Sequence, residues 1–225
     1  MDVSPELVRK NNELRRRIEG VKAFRLASKK EKTRESAKTP TLFGEIRPVQ
    51  TSFLAIPEVS SERRSYIPVG FLKPAVVPSN KIQVVPDATL FHFGVISSAM
   101  HMSWMRQVTG RLKSDYSYSA KIVYNNYPWP AAVTDKQRAA VEAAAQEVLD
   151  ARAKYPTSTL ADLYDPLMMP APLLKAHQEL DRAVDRCYRP DPFPSDRHRV
   201  EYLFALYEKI TTPLVAAAKP KRKRG

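Results

Sequence analysis

Glycine is scarce in this chain, six among 225 residues, and cysteine is nearly absent, with Cys187 standing alone. The scattered glycines leave no glycine-rich loop to cradle a phosphate or a dinucleotide. A single thiol excludes an internal disulfide and fits a reducing compartment, so a cytoplasmic location is expected. No apolar run approaches the ~20 residues that span a bilayer, and Met1–Pro5 opens without a signal-peptide apolar stretch. No membrane association is expected. His92, His101, His177 and His198 are too scattered to give metal-ligand spacing, so no metal site is expected.

Catalytic signatures are missing as well. No Asn-Pro-Pro-aromatic or Asp-Pro-Pro-aromatic run is present to clamp a flipped adenine. Asp181 and Asp185 lie four residues apart on a charged helix face, and Asp196, Glu201 and Lys209 fall on an amphipathic one, where solvation explains them. Ser97 and Ser98 have no His and Asp partners at plausible spacing. No catalytic residue is assigned, and a self-contained enzyme is not expected.

What the chain has in excess is positive charge, a formal +13 unevenly spread. Residues 1–40 carry +6, residues 41–130 carry +4, residues 131–218 carry −2, and the last seven add +5. A basic N-terminal portion joined to a slightly acidic one suits a polyanion on the first part only. A solvated basic surface with a disordered tail gives the same charge pattern. The stretch Tyr116-Ser117-Tyr118-Ser119, followed by Tyr124-Asn125-Asn126-Tyr127-Pro128-Trp129-Pro130, adds aromatics and amides just after Arg111, Lys113 and Asp115. Core strands rarely mix these residues so densely, whereas a surface facing nucleic acid does.

Periodicity gives the coarse architecture. Residues 6–30 have helical spacing through Leu7, Leu14, Ile18, Val21, Phe24 and Leu26. Short β-like runs follow at 52–56, 66–72, 75–77, 82–85 and 89–93, separated by prolines. Residues 96–112 read as a helix capped by Ser97 or Ser98. After Pro130, Thr134–Gln137 forms a capping box, and helices are expected over 139–153, 159–164, 172–188 and from Ser195 onward. The expected fold class is α+β, with four parts. Residues 1–40 form a basic helix and linker, 41–132 a recognition domain, 133–212 a small helical bundle, and 213–225 a basic disordered tail.

Four segments carry a family likeness. They are Ile56–Leu72, Phe93–Trp104 with Gly110-Arg111-Leu112, Tyr124–Pro130, and Leu160-Ala161-Asp162-Leu163-Tyr164-Asp165-Pro166. Together they resemble the target-recognition and C-terminal helical domains of MmeI-like DNA methyltransferases, which are fused restriction–modification enzymes. The likeness runs from about Val21 to about Tyr207. It implies sequence-specific binding of double-stranded DNA in the service of adenine-N6 methylation or cleavage performed elsewhere. S-adenosylmethionine would belong to a methyltransferase domain, and no cofactor is expected in this chain. A working subunit beside a separate methyltransferase or nuclease polypeptide, a split-gene product, and a truncated remnant or protein-interaction fragment all fit the likeness.

The resemblance further implies that Lys113 and Asp115 act as a pair reading one base pair, and that Lys81 and Ser117 read a neighbour. The chemistry agrees: lysine donates to guanine O6 and N7, and aspartate accepts from cytosine N4, contacts worth ~1–3 kcal/mol of discrimination. Were Leu112–Ser119 extended throughout, Arg111, Lys113, Asp115 and Ser117 would share one face. The competing reading is a surface Lys–Asp ion pair of ~0–1 kcal/mol. For Lys81 it is an ordinary exposed lysine. Arg63, Arg64, Arg106, Arg111 and Lys121 are the candidates for phosphate contacts, which position without specifying. Asn125, Asn126, Tyr127 and Trp129 read chiefly as structural.

Overall fold

Short apolar runs between prolines form two small antiparallel sheets, and the longer periodic segments form helices, giving an α+β architecture. The computed structural model describes residues 4–44 and 49–217. The chain divides into two units, Met1–Pro48 and Val49–Gly225.

In the first unit, α1 (Pro5–Lys10) and α2 (Asn12–Leu26) are separated by Asn11, whose side chain caps α2 by accepting from the Leu14 N–H. A short α3 (Glu31–Glu35) and a 3-10 turn (Ser36–Lys38) follow. The helical spacing is real, but none of its apolar side chains is fully buried: Leu14 and Ile18 are half-buried, Phe24 is 78% exposed, and Leu7, Val21 and Leu26 are exposed too. Polar contacts hold this unit together. The Arg25 guanidinium donates to the carbonyls of Ser36, Thr39 and Leu42 at 2.7–2.8 Å.

The second unit begins with β1 (Phe53–Pro57), which continues through Glu58 into β2 (Val59–Ser60). β3 (Gly70–Leu72) and β4 (Ile82–Pro86) flank β1, giving the order β3-β1-β4. α4 (Leu90–Ile96) and α5 (Ala99–Val108) come next, then β5 (Gly110–Leu112) and β6 (Asp115–Ser117), which add to β2 in the order β2-β6-β5. A π-helical turn (Ala120–Tyr124) leads to α6 (Asp135–Ala153), α7 (Leu160–Leu163), α8 (Ala171–Tyr188) and α9 (Asp196–Ala217).

Several local expectations are corrected. Residues 89–93 are not a strand: Thr89 caps α4, its hydroxyl and N–H both engaging His92 Nδ1 at 3.0–3.1 Å. The helix expected over 96–112 is α5 alone, capped by Ser98, and its last three residues are β5. Residues 75–77 form no strand, and only 70–72 of the run 66–72 do. α9 continues to Ala217, through residues 213–217 that were expected in the tail, and the rest of that tail lies outside the described residues.

A single core joins sheet and helices: Leu54, Ile56, Phe93, Trp104, Val141, Leu180 and Leu203 belong to one buried cluster. α4 crosses α6 and α8 at Gly94, where a Cβ would stand 2.7 Å from Val141 Cγ1 and 3.2 Å from Leu180 Cδ1. Glycine is required there for close approach. Trp104 donates its indole N–H to the Val123 carbonyl at 3.1 Å and packs on Phe204 and Tyr207 of α9. Trp129 stands edge-on to His92, Tyr124 and Tyr127, and the Asn126 amide caps the π-helical turn through the carbonyls of Lys121 and Ile122.

A polar junction crosses this core. The buried Arg152 donates Nε to Tyr164 Oη at 2.8 Å and Nη1 to the Val69 carbonyl at 2.8 Å, with its guanidinium over the Phe93 ring. Tyr164 Oη meets His177 Nε2 at 2.6 Å, and His177 stacks on Tyr66 at 4.1 Å between centroids. Tyr66 donates its hydroxyl to Asp181 at 2.7 Å, and Asp181 also accepts from the Ala99 N–H that opens α5. Burial pushes Asp181 up to about 6, partly offset by those two donors. Burial, reinforced by the Arg152 charge, takes His177 down to about 3, and burial alone does the same to His101.

Candidate nucleic-acid interface

The segment richest in candidate residues folds as a hairpin. β5 and β6 are joined by Lys113 and Ser114 alone, with Gly110 opposite Ser117, Arg111 opposite Tyr116 and Leu112 opposite Asp115. Cross-strand partners share a face of the pleat. Arg111 and Tyr116 therefore occupy the inner face with Ser60 of β2, where Tyr116 and Ser60 are buried. Leu112, Asp115 and Ser117 occupy the outer face.

This corrects the expectation of a continuous extended run. Chain reversal at Lys113–Ser114 resets the alternation, so Arg111 leaves the face it was expected to share. Lys113 stands at the tip, and only Asp115 and Ser117 keep their common side. Lys113 has a φ of 57°, in the left-handed region where a Cβ is disfavoured by ~1–2 kcal/mol. Arg111 braces the turn from beneath. Its guanidinium lies 4.2 Å from the Tyr116 ring centre and donates to the Ser114 carbonyl at 2.9 Å. Glu62 lies 3.5 Å from the same guanidinium. Thr109 fastens the base of the hairpin by donating its hydroxyl to the Ser117 carbonyl.

Among the described residues, neither Lys113 nor Asp115 enters an ion pair or a side-chain hydrogen bond. The Lys–Asp surface pair is therefore not formed. Lys113 is exposed at the tip and Asp115, two residues on, is half-buried, and the hydrogen-bonding capacity of both side chains is unspent among the described residues.

Lys81 reaches the same neighbourhood through the backbone. The N–H of Glu58 donates to the Lys81 carbonyl at 2.9 Å, and the Glu58 carbonyl accepts from the Tyr118 N–H at 2.7 Å. At Glu58 the continuous strand thus changes partner from β4 to β6, which sets Lys81 on one side of it and Ser117–Tyr118 on the other. A turn precedes β4, with the Ser79 carbonyl accepting from the Ile82 N–H. Lys81 is exposed and pairs with Glu58 at 3.3 Å.

The remaining cations divide into two groups. Arg63 and Lys121 are exposed, and among the described residues their side chains are in no ion pair. Arg106 binds Asp196 at 3.0 Å and reaches the carbonyls of Arg64 and Ser65, tying the strand region to α9. Arg64 is half-buried and donates to the Ala161 carbonyl. A phosphate would have to compete with these bonds at Arg64 and Arg106. Glu58 and Glu62, the acids beside Lys81 and Arg111, went unnoticed in the sequence. Their only signal was a polar residue closing the apolar run of β1 and another opening the loop after β2.

No described helix is long and apolar enough to cross a membrane. Among the described residues no group of His, Cys, Asp and Glu is placed to hold a metal ion.

Fold and site together define an α+β scaffold that presents a short, charged β-hairpin. Residues 1–131 match the family model of the MmeI target recognition domain, and residues 133–215 match that of the MmeI C-terminal domain. The DNA methyltransferase A of Bacillus subtilis (strain 168) is 39% identical over 206 residues, covering 92% of this chain and 23% of that protein. The structure of the Type IIL restriction-modification enzyme MmeI in complex with DNA aligns with a TM-score of 0.82 at 46% identity, covering 91% of this chain and 27% of that one. The chain belongs to the MmeI family, as its target recognition domain followed by its C-terminal domain. It spans about a quarter of the length of these relatives, and the matched parts are not the catalytic ones.

Proposed function

We propose that this chain is the DNA-recognition module of an MmeI-like restriction–modification system, and that the β5–β6 hairpin enters the major groove of double-stranded DNA. The observation that carries this reading is the hairpin tip, where Lys113 stands exposed and Asp115 half-buried, their side chains unpaired among the described residues. A two-stranded ribbon fits the ~12 Å major groove. There Lys113 donates to guanine O6 or N7 and Asp115 accepts from the N4 amino group of the paired cytosine. Ser117, on the face of Asp115, and Lys81, across Glu58, address a neighbouring position. Arg63 and Lys121 contact phosphates. Arg111 holds the turn, and Arg64 and Arg106 hold the scaffold more than the DNA.

The catalysis this specificity serves is adenine-N6 methylation with S-adenosylmethionine, together with cleavage, carried by a methyltransferase and nuclease portion acting with this chain in the cytoplasm. The structure of MmeI with DNA supports the DNA-binding part of the reading.

The test is selection of the purified chain against a randomised duplex library at two salt concentrations. A short motif with one fixed G·C pair is expected. The double variant Lys113→Glu, Asp115→Arg should change the preferred pair at that position while the rest of the motif persists, a difference of ~1–3 kcal/mol. An unchanged preference would remove the pair from base reading. Binding without any enriched motif would reduce the surface to non-specific attraction.

A further inference from the structure

We propose that Leu112 is an additional specificity residue, packing on the 5-position of a pyrimidine so that a methyl group there adds affinity. The inference rests on the hairpin's reading of DNA argued above.

Leu112 is 58% exposed within a strand, and the buried cluster of the described residues does not include it. β5 is the edge of its sheet, a place where proteins ordinarily set charge or proline to discourage pairing. Leu112 sets an apolar side chain there instead. Its neighbours explain it. Leu112 pairs with Asp115 across the hairpin, so the two side chains leave the outer face side by side, from Cα positions about 5 Å apart. Base pairs follow one another at ~3.4 Å along the strand, so adjacent side chains reach the same or the next pair.

The groove chemistry then matches. On a pyrimidine ring, C5 is bonded to C4, the atom that bears the cytosine amino group Asp115 would accept from. A side chain beside that carboxylate faces the C5 edge of that ring or of the next pyrimidine. The thymine methyl at C5 is the apolar group that base pairs display in the major groove. Gly110, next along the same face, leaves the approach open, since a Cβ on it would meet nothing within 4 Å.

The experiment uses the full 225-residue chain and the duplex selected above. At the G·C pair and the two pairs flanking it, each pyrimidine is altered in turn. Thymine is replaced by deoxyuridine, which lacks only the methyl, and cytosine by 5-methylcytosine, which adds it. Competition binding should reveal one position where the methyl strengthens binding about fourfold, the size expected for one buried methyl group. Leu112→Ser should bind methylated and unmethylated duplexes alike while keeping the G·C preference, and Leu112→Met should retain the methyl response. Wild-type indifference to every replacement overturns the proposal, as does a methyl response that survives Leu112→Ser. If the G·C preference itself is absent or ignores the Lys113/Asp115 exchange, the base-reading hypothesis fails and takes this inference with it. A G·C preference without a Leu112-dependent methyl response sinks this inference alone.

Discussion

Polar side chains are dense in two regions of this protein, and the two use them oppositely. In the junction beneath α6 and α8, Arg152, Tyr164, His177, Tyr66 and Asp181 are linked one to the next by hydrogen bonds and a ring stack. At the hairpin tip, the side chains of Lys113 and Asp115 are linked to nothing among the described residues, and only that of Arg111 beneath them is fastened. Residue type does not separate the two regions, since each contains a cation, an aspartate and tyrosines. Supply of partners within the chain does. A buried polar group must be satisfied internally or it costs several kcal/mol. Polar groups at a solvated tip carry no such desolvation cost while they wait for an external partner.

Acid should unfold the buried core, which holds His177 of the junction and His101 against Tyr118, and this is the largest expected effect. His101 and His177 have folded values of about 3, below the ordinary 6.5 of an unfolded chain. The unfolded state therefore binds more protons between those limits, and the stability these groups confer above pH 6.5 is lost as pH falls. Asp181, raised to about 6, acts in the opposite sense, its contribution being lost as pH rises from about 4 to 6. Two histidines against one aspartate leave a net loss of roughly 4 kcal/mol on going from pH 7 to pH 4. Urea unfolding across that range checks the sign. His101→Gln should flatten the acid limb, and an equally steep slope in that variant would exonerate this histidine.

Removing the cation from each region sharpens the contrast. Arg152→Met strips the donors from the Val69 carbonyl and from Tyr164 inside the core, and should cost about 3 kcal/mol in chemical denaturation. Arg111→Met removes an exposed stacking and turn contact of ~0.5–1 kcal/mol. Its consequence should fall on DNA selectivity instead, because the tip loses its brace. Equal stability losses in the two variants would contradict the division drawn here.

The sequence made the helical half legible because its signals are local. Thr134 and Thr159 open capping boxes, Pro172 lies in the first turn of α8, and Ser98 caps α5, each through groups within a few residues. The strand half was harder. The run 89–93 is apolar and aromatic enough to imitate a strand, yet Thr89 and His92 form a reciprocal cap that only the packed α4 reveals. The hairpin was missed for another reason. Two-residue turns usually advertise themselves with Asn-Gly or Asp-Gly, and Lys113-Ser114 carries neither. Residue types at the site were legible nonetheless, while their faces were not, since one unrecognised turn sends Arg111 inward.

That missing glycine leads to the smallest effect, and the one that probes the hairpin most directly. Lys113 holds a Cβ at φ 57°, a conformation that glycine adopts without cost. Lys113→Gly removes a strain of ~1–2 kcal/mol and adds unfolded-chain entropy of ~0.5–1 kcal/mol. A net gain of about 0.5–1 kcal/mol in stability is expected, together with loss of selectivity at the base pair Lys113 addresses. Lys113→Ala separates the two consequences, because it removes the ammonium but keeps the Cβ. Its stability should match wild type while its selectivity falls as far as that of the glycine variant. If glycine stabilises and both variants lose discrimination, the tip keeps a strained lysine for the sake of what it touches. If neither variant alters selectivity, the lysine is an accident of the turn and base reading must lie elsewhere on the outer face.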